Sequence, residues 1–354
     1  MTKAMRGMLF ATAVAGGLAA VAARADPLSE ADDALKRRDV PGALRILEGA
    51  ATSNPAAKGR LANYLRNFPA PYRDVPRACT LAREASDAGD AMGMVTRAEC
   101  LIGGTEKAEQ PFPVARQLAR RASAVTPAGH FTLYMAYSMD PKYSYPRQGP
   151  DTAARYNALA AMTIAERGDQ IEAFDALSEA VRGGHVNALL MSIAYLLDSS
   201  APGNIDRVVG AAGIAQRNGV QIPAPFQNAV RSAQEIKGLG TTHASVTAFR
   251  DAFQSAIVAA MIQIRGVGEA KTDCDAKDIR LQRVAADPVQ NAEYLPLTRQ
   301  PLVNTYLVRG NWTETWTFTG CQKAAPIVIQ FSADGWSGAR FQTRQVVGPG
   351  GKAQ

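Results

Sequence analysis

RDVPRACTLAREASDAGDAMGMVTRAECLIGG, residues 73–104, is the stretch of sequence that decides the fold. It contains two helical patterns that meet at the small-residue turn Ala88-Gly89-Asp90, and the same layout recurs before and after it. One such pair of helices cannot bury its apolar face alone, so recurrence implies that several pairs stack on one another. The sequence therefore predicts a mainly α protein built as an α/α superhelical solenoid.

Three copies of this layout overlay without gaps. The matching positions are the starts Pro41, Pro76 and Pro113, the apolar residues Ile46, Leu81 and Leu118, the alanines Ala50, Ala85 and Ala122, and the turns at Asn54, Gly89 and Thr126. Proline suits the first turn of a helix because its missing N–H would have no intrahelical partner there. A fourth copy spans residues 173–197, and the helices predicted over residues 205–262 match more loosely.

Several of the repeated residues belong to a known pattern. The second copy carries Asp74, Ala78, Ala85, Gly89, Asp90 and Gly104, and the fourth carries Ala173, Ala180, Gly184, Ala188 and Tyr195. Over residues 30–260 the chain resembles Sel1-like repeats, which are relatives of the tetratricopeptide repeat. Cys100 departs from the pattern, because that family prefers an aromatic residue there. The resemblance implies an α/α superhelix with an adaptor role, and it implies no reaction.

The N-terminus has the features of an export signal. Lys3 and Arg6 precede an apolar run over residues 8–22, and Ala23-Arg24-Ala25 forms an A-x-A cleavage site. The run is short for a membrane span, so a retained anchor is the weaker interpretation, and no later stretch is long enough to span a membrane. We expect residues 1–25 to be a signal peptide and the mature chain to be periplasmic, with secretion to the extracellular space left open.

Composition divides the rest of the chain into three parts. Helical repeats occupy residues 26–265, a small β-rich domain follows at 266–345, and the Gly-rich residues 346–354 suggest a disordered tail. In the β-rich domain we expect strands at 303–308 and 312–318 around a turn at Gly310-Asn311, and a strand at 327–331. A last strand at 339–345 should follow a hairpin turn at Asp334-Gly335. A short helix at residues 277–286 is a further expectation.

Four cysteines fit an oxidising compartment. Cys79 and Cys100 lie ten to eleven residues on either side of the turn at Gly89-Asp90, so they are level in an antiparallel pair of helices. Cys274 and Cys321 are the remaining pair. We therefore predict the disulfides Cys79–Cys100 and Cys274–Cys321, with four reduced, buried thiols as the alternative.

The charge balance excludes some partners. The formal net charge is +7, and three of these charges, on Lys3, Arg6 and Arg24, leave with the signal. The remainder is mild, and an exported protein does not meet cytoplasmic nucleic acid, so we expect no nucleic-acid partner. Local basic groups, such as those at residues 116–121, are ordinarily solvated helix faces. Contact with an acidic wall polymer or exopolysaccharide is the alternative.

Aromatic residues supply the candidate binding sites. Tyr134 and Tyr137 share one helix face, and Tyr143 and Tyr145 fall in a Pro-interrupted insertion, where tyrosines suit an interface. The alternative places Tyr134 and Tyr137 between helices. Trp312 and Trp316 share one face of a strand, where they either fill the core against Ile329 and Phe331 or form an exposed aromatic shelf.

Catalytic and metal-binding motifs are absent from the sequence, and its three histidines, His130, His185 and His243, are far apart with no nearby cysteine. We therefore expect no enzyme activity and no cofactor or metal. The favoured function is a periplasmic adaptor or regulator that binds a protein partner of the cell envelope through the helical repeats. A module that binds cell-wall or extracellular polysaccharide is one alternative, and a hydrolase with a site between the two domains is another.

Overall fold

A computed structural model describes residues 26–143, 152–266 and 275–344. Within these ranges thirteen α-helices precede five β-strands. The helices are α1 Pro27–Lys36, α2 Val40–Ala51, α3 Pro55–Asn67, α4 Val75–Asp87, α5 Ala91–Ile102, α6 Pro111–Ser123, α7 Pro127–Ser138, α8 Thr152–Ala160, α9 Gly168–Arg182, α10 Val186–Asp198, α11 Asn204–Arg217, α12 Ala224–Leu239 and α13 Val246–Arg265. The strands are β1 Arg280–Ala286, β2 Gln290–Tyr294, β3 Leu307–Gly320, β4 Lys323–Ala333 and β5 Ala339–Arg344. The predicted fold class, a helical solenoid followed by a small β-rich region, is confirmed.

Side-chain caps set the start of helices α2 to α5. Asp39 accepts a hydrogen bond from the N–H of Gly42 at the start of α2, and Asp74 caps α4 in the same way. Asn54 and Asp90 do so at the second helix of each pair, where the sequence predicted the turns. Such caps satisfy N–H groups that lack an intrahelical partner, so they fix where each helix begins.

Small residues allow neighbouring helices to approach closely. Ala43, Ala78 and Ala115 occupy equivalent positions in three repeats, and each is fully buried. At Gly93 a Cβ atom would lie 2.6 Å from the Cβ of Ala85, so only glycine fits where α5 crosses α4. The stack continues from α7 directly to α9, which brings the fourth repeat against the third.

The predicted bridge between Cys79 and Cys100 is present. It joins α4 to α5 with a Cα–Cα distance of 5.8 Å, which confirms that the two cysteines are level in this pair of helices. Cys274 lies outside the described residues, so its bond to Cys321 stays a prediction. No helix in the described ranges is long and apolar enough to cross a membrane.

The five strands form one antiparallel sheet in the order β1-β3-β4-β5, with β2 pairing with the first part of β3. The expected turn at Gly310-Asn311 was wrong, because β3 runs unbroken through both residues. The chain turns instead at Cys321 and Gln322, whose φ angles of 53° and 59° suit a two-residue hairpin. At Gly310 a Cβ atom would lie 2.8 Å from Val289, so this glycine serves the close approach of a neighbouring segment.

Two further expectations for this region need correction, and two agree with the structure. The helix expected at residues 277–286 was wrong, because residues 280–286 pair with β3 as strand β1. The strand expected at 303–308 begins only at Leu307. Strand β4 buries the alternating Ile327, Ile329 and Phe331 as predicted, and β5 follows the turn at Asp334-Gly335.

The sheet covers the last helix of the solenoid. The ring of Trp316 on β3 stacks on that of Phe249 on α13, with ring centroids 4.2 Å apart. The rings of Phe318 and Phe253 also pack together, with centroids 5.9 Å apart. One continuous apolar core extends from α6 and α7 through α13 into the inner face of the sheet. The boundary predicted near residue 266 therefore divides the helices from the sheet in sequence, while their side chains share a core.

A buried carboxylate fastens the sheet to the loop before α13. Glu314 is fully buried on β3, between Trp312 and Trp316 on the inner face. It accepts hydrogen bonds from both indole N–H groups, at 2.9 and 2.8 Å, and from the hydroxyl of Thr242 and the backbone N–H of His243. The carboxylate thus gathers donors from two elements that are far apart in sequence.

Candidate functional site

The solenoid and the sheet enclose a cleft of about 740 Å³, here called the junction cleft. Helices α7, α9, α10 and α13 form its walls on one side, and the turn between β4 and β5 forms the other. Its aromatic lining consists of Tyr134, Tyr137, Tyr143, Phe174, Tyr195, Tyr306 and Trp336. Apolar clefts of this size with a few polar groups are the usual form of a binding site.

The aromatic residues differ in their exposure. Tyr134, Tyr137 and Tyr306 are buried and form the floor. Tyr143, Phe174, Tyr195 and Trp336 are half-buried, so part of each ring faces the opening. Phe174 packs against both Tyr195 and Tyr306, with centroids 4.7 and 5.3 Å apart. The cleft therefore offers rigid aromatic surface that is already in place before any ligand arrives.

An ion-pair network locks one end of the floor. The hydroxyl of Tyr137 donates a hydrogen bond to Glu172 at 2.6 Å and accepts one from Arg120 at 2.7 Å. Burial, together with the bond to Glu172, raises the pKa of Tyr137. The hydrogen bond from Arg120 lowers the pKa of Glu172, so this carboxylate stays ionised. Arg116 lies over the Tyr137 ring at 4.8 Å and pairs with Asp140, so the tyrosine cannot change rotamer without breaking several contacts.

A network of hydroxyl groups holds the other end of the cleft floor. The Tyr195 hydroxyl lies 3.1–3.4 Å from the hydroxyls of Ser337, Thr305 and Ser199. Asn204 donates to the Ser199 hydroxyl at 2.8 Å, and Ser199 and Ser337 also contact each other at 2.6 Å. Each of these residues except Tyr195 is buried, and together they join α10 to the sheet. Removal of Tyr195 from water raises its pKa, so the group stays a neutral phenol.

The turn after β4 is fixed over the opening. Asp334 accepts hydrogen bonds from the backbone N–H groups of Trp336 and Gly338, at 2.7 and 3.0 Å. The buried guanidinium of Arg167 donates to the carbonyl oxygen of Gly335 at 2.9 Å. These contacts hold Trp336 at the edge of the cleft, where its indole also packs near Tyr156.

The predicted binding residues separate into two groups. Tyr134, Tyr137 and Tyr143 come together in the junction cleft. Trp312 and Trp316 lie away from it on the inner face of the sheet, 3% and 0% exposed, so they occupy the core and form no exposed shelf. Tyr145 lies outside the described residues.

Sequence reasoning missed the parts of the cleft that come from distant elements. Phe174 and Tyr195 are ordinary repeat residues in the sequence, and Tyr306, Asp334 and Trp336 belong to the β-rich region. The stretch DGWSG at residues 334–338 was a usable signal. A tryptophan inside a tight turn is not on a strand or helix that could bury it, so the pattern indicates an aromatic residue outside the core.

A second cavity, of about 800 Å³, lies at one end of the sheet. Its lining is mainly polar and includes Gln290, Asn311 and Gln330. Three aromatic residues reach it, and Trp312 and Phe331 are buried, so only the half-buried Phe341 presents ring surface to a ligand. The junction cleft is therefore the stronger candidate site.

The histidines do not form a site in the described part of the chain. His185 caps α10, where its Nδ1 accepts from the N–H of Ala188 at 3.3 Å, and its ring stacks on Phe131. His243 places Nε2 at 3.0 Å from the carbonyl oxygen of Asp287. Within residues 26–143, 152–266 and 275–344, no group of three or more His, Cys, Asp or Glu residues is arranged to hold a metal ion.

No protein-family model matches the sequence, and no protein of curated function matches it. Among solved structures, the crystal structure of a Sel1 repeat protein from Oxalobacter formigenes is similar to this chain, with 17% sequence identity and a TM-score of 0.30. The match covers 59% of this chain and 88% of that chain. At this TM-score the assignment of the fold rests on the helices and strands described above.

Proposed function

We propose that this protein is a non-enzymatic adaptor or regulator of the cell envelope that holds a segment of a partner protein in the junction cleft. The observation that carries the proposal is the cleft itself, with half-buried aromatic rings held by hydrogen-bond networks at both ends. Rigid aromatic surface loses little conformational entropy when it binds, which makes it suited to recognising a peptide.

Two features support the location in the periplasm. The sequence of residues 1–25, which lie outside the described ranges, has the form of an export signal. The bridge between Cys79 and Cys100 fits an oxidising compartment. Secretion to the extracellular space is compatible with both.

Tyr143, in the insertion after α7, extends the proposed surface. Its ring lies beside that of Tyr137 with centroids 5.6 Å apart, and Tyr145 of the same insertion lies outside the described residues. Insertions in a solenoid project from one edge, which is often the binding face. We propose that this insertion contacts the same partner.

The alternatives from the sequence receive less support. A polysaccharide module would have used Trp312 and Trp316 as a flat shelf, and both are buried. A hydrolase would need carboxylates that act as a pair. The four aspartates in the described part of the cleft come from four separate elements, and two of them are engaged: Asp334 is bound to backbone N–H groups, and Asp198 accepts from the hydroxyl of Thr247.

Selection from a displayed library of random peptides tests the proposal. Peptides are selected against the wild-type protein and then measured against Ala194→Trp, which fills the cleft from α10. We expect the selected peptides to lose binding at least tenfold, because a tryptophan at this position occupies the space of the ligand. Thr247→Trp at the exposed rim is a second blocking variant whose larger side chain does not enter the core.

The matched control is Gln234→Trp, which adds the same side chain to an exposed position of α12 that does not line the cleft. It should retain wild-type binding. If both cleft variants fold and bind the selected peptides as tightly as the wild type, the cleft is not the binding site.

A further inference from the structure

The lining of the junction cleft has a marked charge. Four of its residues are aspartates, namely Asp169, Asp198, Asp251 and Asp334, and no Lys, Arg or His belongs to the lining among the described residues. The carboxylates come from α9, α10, α13 and the turn after β4, so they surround the aromatic rings from several sides.

Two of these carboxylates make no hydrogen bond or ion pair within the described ranges. These are Asp169 and Asp251, and Asp198 is exposed with a single bond, from Thr247. Asp334 is half-buried and uses Oδ1 to hold its turn. Their negative charge is therefore available to a ligand.

The nearby cations offset only part of this charge. The buried guanidinium of Arg167 lies beside Tyr306 and binds the turn that carries Asp334, and the ammonium of Lys142 acts on Asp169 through its charge. Arg116 pairs with Asp140, and Arg120 pairs with Glu172. Lys142 lies over the Tyr143 ring, at the α7 end of the cleft, where its ammonium donates to the tyrosine hydroxyl. The walls formed by α10 and α13 keep an excess of negative charge beside Phe174, Tyr195 and Trp336.

We infer that the partner segment held in the junction cleft carries a Lys or Arg side chain, which enters between the aromatic rings and the aspartates. This inference rests on the proposed function. Aromatic faces attract cations through their quadrupole, and carboxylates complete the pairing by charge. An acidic segment would meet four like charges in the same space, so the cleft selects for positive charge as well as for shape.

Fluorescence anisotropy with three labelled peptides tests the inference. The peptides are seven residues long and differ only at two central positions, which are Lys, Gln or Glu. We expect the Lys peptide to bind at least tenfold more tightly than the Gln peptide, and the Glu peptide to bind more weakly still. The preference for Lys should shrink as the salt concentration rises, because salt screens exposed charges.

The test variant is the double substitution Asp169→Asn and Asp251→Asn, which removes two charges and keeps the side-chain shape. It should weaken binding of the Lys peptide about tenfold, since the variant loses two charge pairs with the ligand. The matched control, Glu109→Gln with Glu235→Gln, removes two exposed charges outside the cleft and should bind as the wild type does.

Three results would overturn the inference. They are a Lys peptide that fails to bind at about 1 mM, equal affinity for the Lys and Gln peptides, and a double Asn variant with wild-type affinity. If free spermidine at the same concentration as the labelled peptide displaces that peptide completely, a small amine is the preferred occupant instead. If selected peptides depend on Ala194 but lack Lys and Arg, the proposed function stands and the charge preference alone is refuted.

Discussion

Replacing Glu314 by glutamine tests whether one buried carboxylate fastens the sheet to the end of the solenoid. Glu314 is fully buried, and it accepts hydrogen bonds from Trp312, Trp316, Thr242 and the backbone of His243. All of these groups act as donors toward it. Glutamine keeps the volume of the side chain and replaces one of its two acceptor oxygens by an NH₂ group that is itself a donor.

The cost follows from the geometry. The new NH₂ group must face at least one donor, most directly an indole N–H, since Trp312 contacts Oε1 and Trp316 contacts Oε2. Loss of one hydrogen bond to a charged acceptor costs about 1.5–3 kcal/mol, and a buried donor left without a partner costs a further 1–3 kcal/mol or so. Because the loop before α13 relaxes in part, we expect Glu314→Gln to lower the free energy of unfolding by about 3 kcal/mol.

Thermal unfolding followed by far-ultraviolet circular dichroism, with urea titration at 25 °C, measures this loss. A change of about 3 kcal/mol corresponds to a fall in melting temperature of about 4 °C for a chain of this size, because the entropy of unfolding grows with chain length. The control is Glu293→Gln on β2, whose side chain is 38% exposed and pairs with Arg309, and it should cost less than about 0.5 kcal/mol. A Glu314→Gln protein that melts within about one degree of the wild type would refute the role of the carboxylate.

Two other predictions follow from single contacts. The double change Cys79→Ser and Cys100→Ser should lower the free energy of unfolding by about 3 kcal/mol in urea titrations, because the unfolded chain loses the constraint of the closed loop. Non-reducing peptide mapping of the wild type should find the bond between Cys79 and Cys100. A Cys79 that can be alkylated in undenatured, oxidised protein would contradict the bond. Burial lowers the pKa of His185, whose neutral Nδ1 caps the N–H of Ala188, so the folded state prefers the uncharged ring. The contribution of the neutral His185 ring to stability is complete above the ordinary histidine pKa of 6.5. This contribution is lost as the pH falls from that value toward the lower pKa that His185 has in the folded protein. Melting temperatures between pH 7.5 and about 5 should therefore fall less in His185→Asn than in the wild type, and parallel profiles would contradict the assignment.

The sequence predicted the repeats well because their signals are local. Pro41 and Pro76 mark the first turn of α2 and α4, and Asn54 and Asp90 cap the helices that follow. Each signal acts within one helix turn, so no knowledge of the rest of the fold is needed to use it. The bridge from Cys79 followed from the same register.

The sheet was predicted less well because its turns depend on distant partners. Gly310 and Asn311 have the composition of a turn, yet pairing with β4 carries β3 straight through Asn311. The true turn uses Cys321 and Gln322, residue types that seldom adopt positive φ. A better signal was available in the alternation of Trp312, Glu314, Trp316 and Phe318, because a carboxylate in phase with apolar residues indicates a buried acceptor.

The cleft was predicted only in part for a related reason. Tyr134, Tyr137 and Tyr143 stand close together in the sequence, so their clustering was visible. Asp198, Asp251 and the turn at 334–338 reach the same space only because the helices stack and the sheet folds back on α13. No local pattern records that convergence.

The position of the sheet links the stability of the fold to the shape of the junction cleft. The last helix of a solenoid has an apolar face that no further repeat covers. Here the sheet buries that face through Trp316 and Phe318, and the same sheet delivers Asp334 and Trp336 to the cleft. Glu314 anchors the sheet on the loop that leads into α13, and α13 in turn supplies Asp251 to the opposite wall. The contacts that close the end of the solenoid are therefore also the contacts that set the distance between the two walls of the junction cleft.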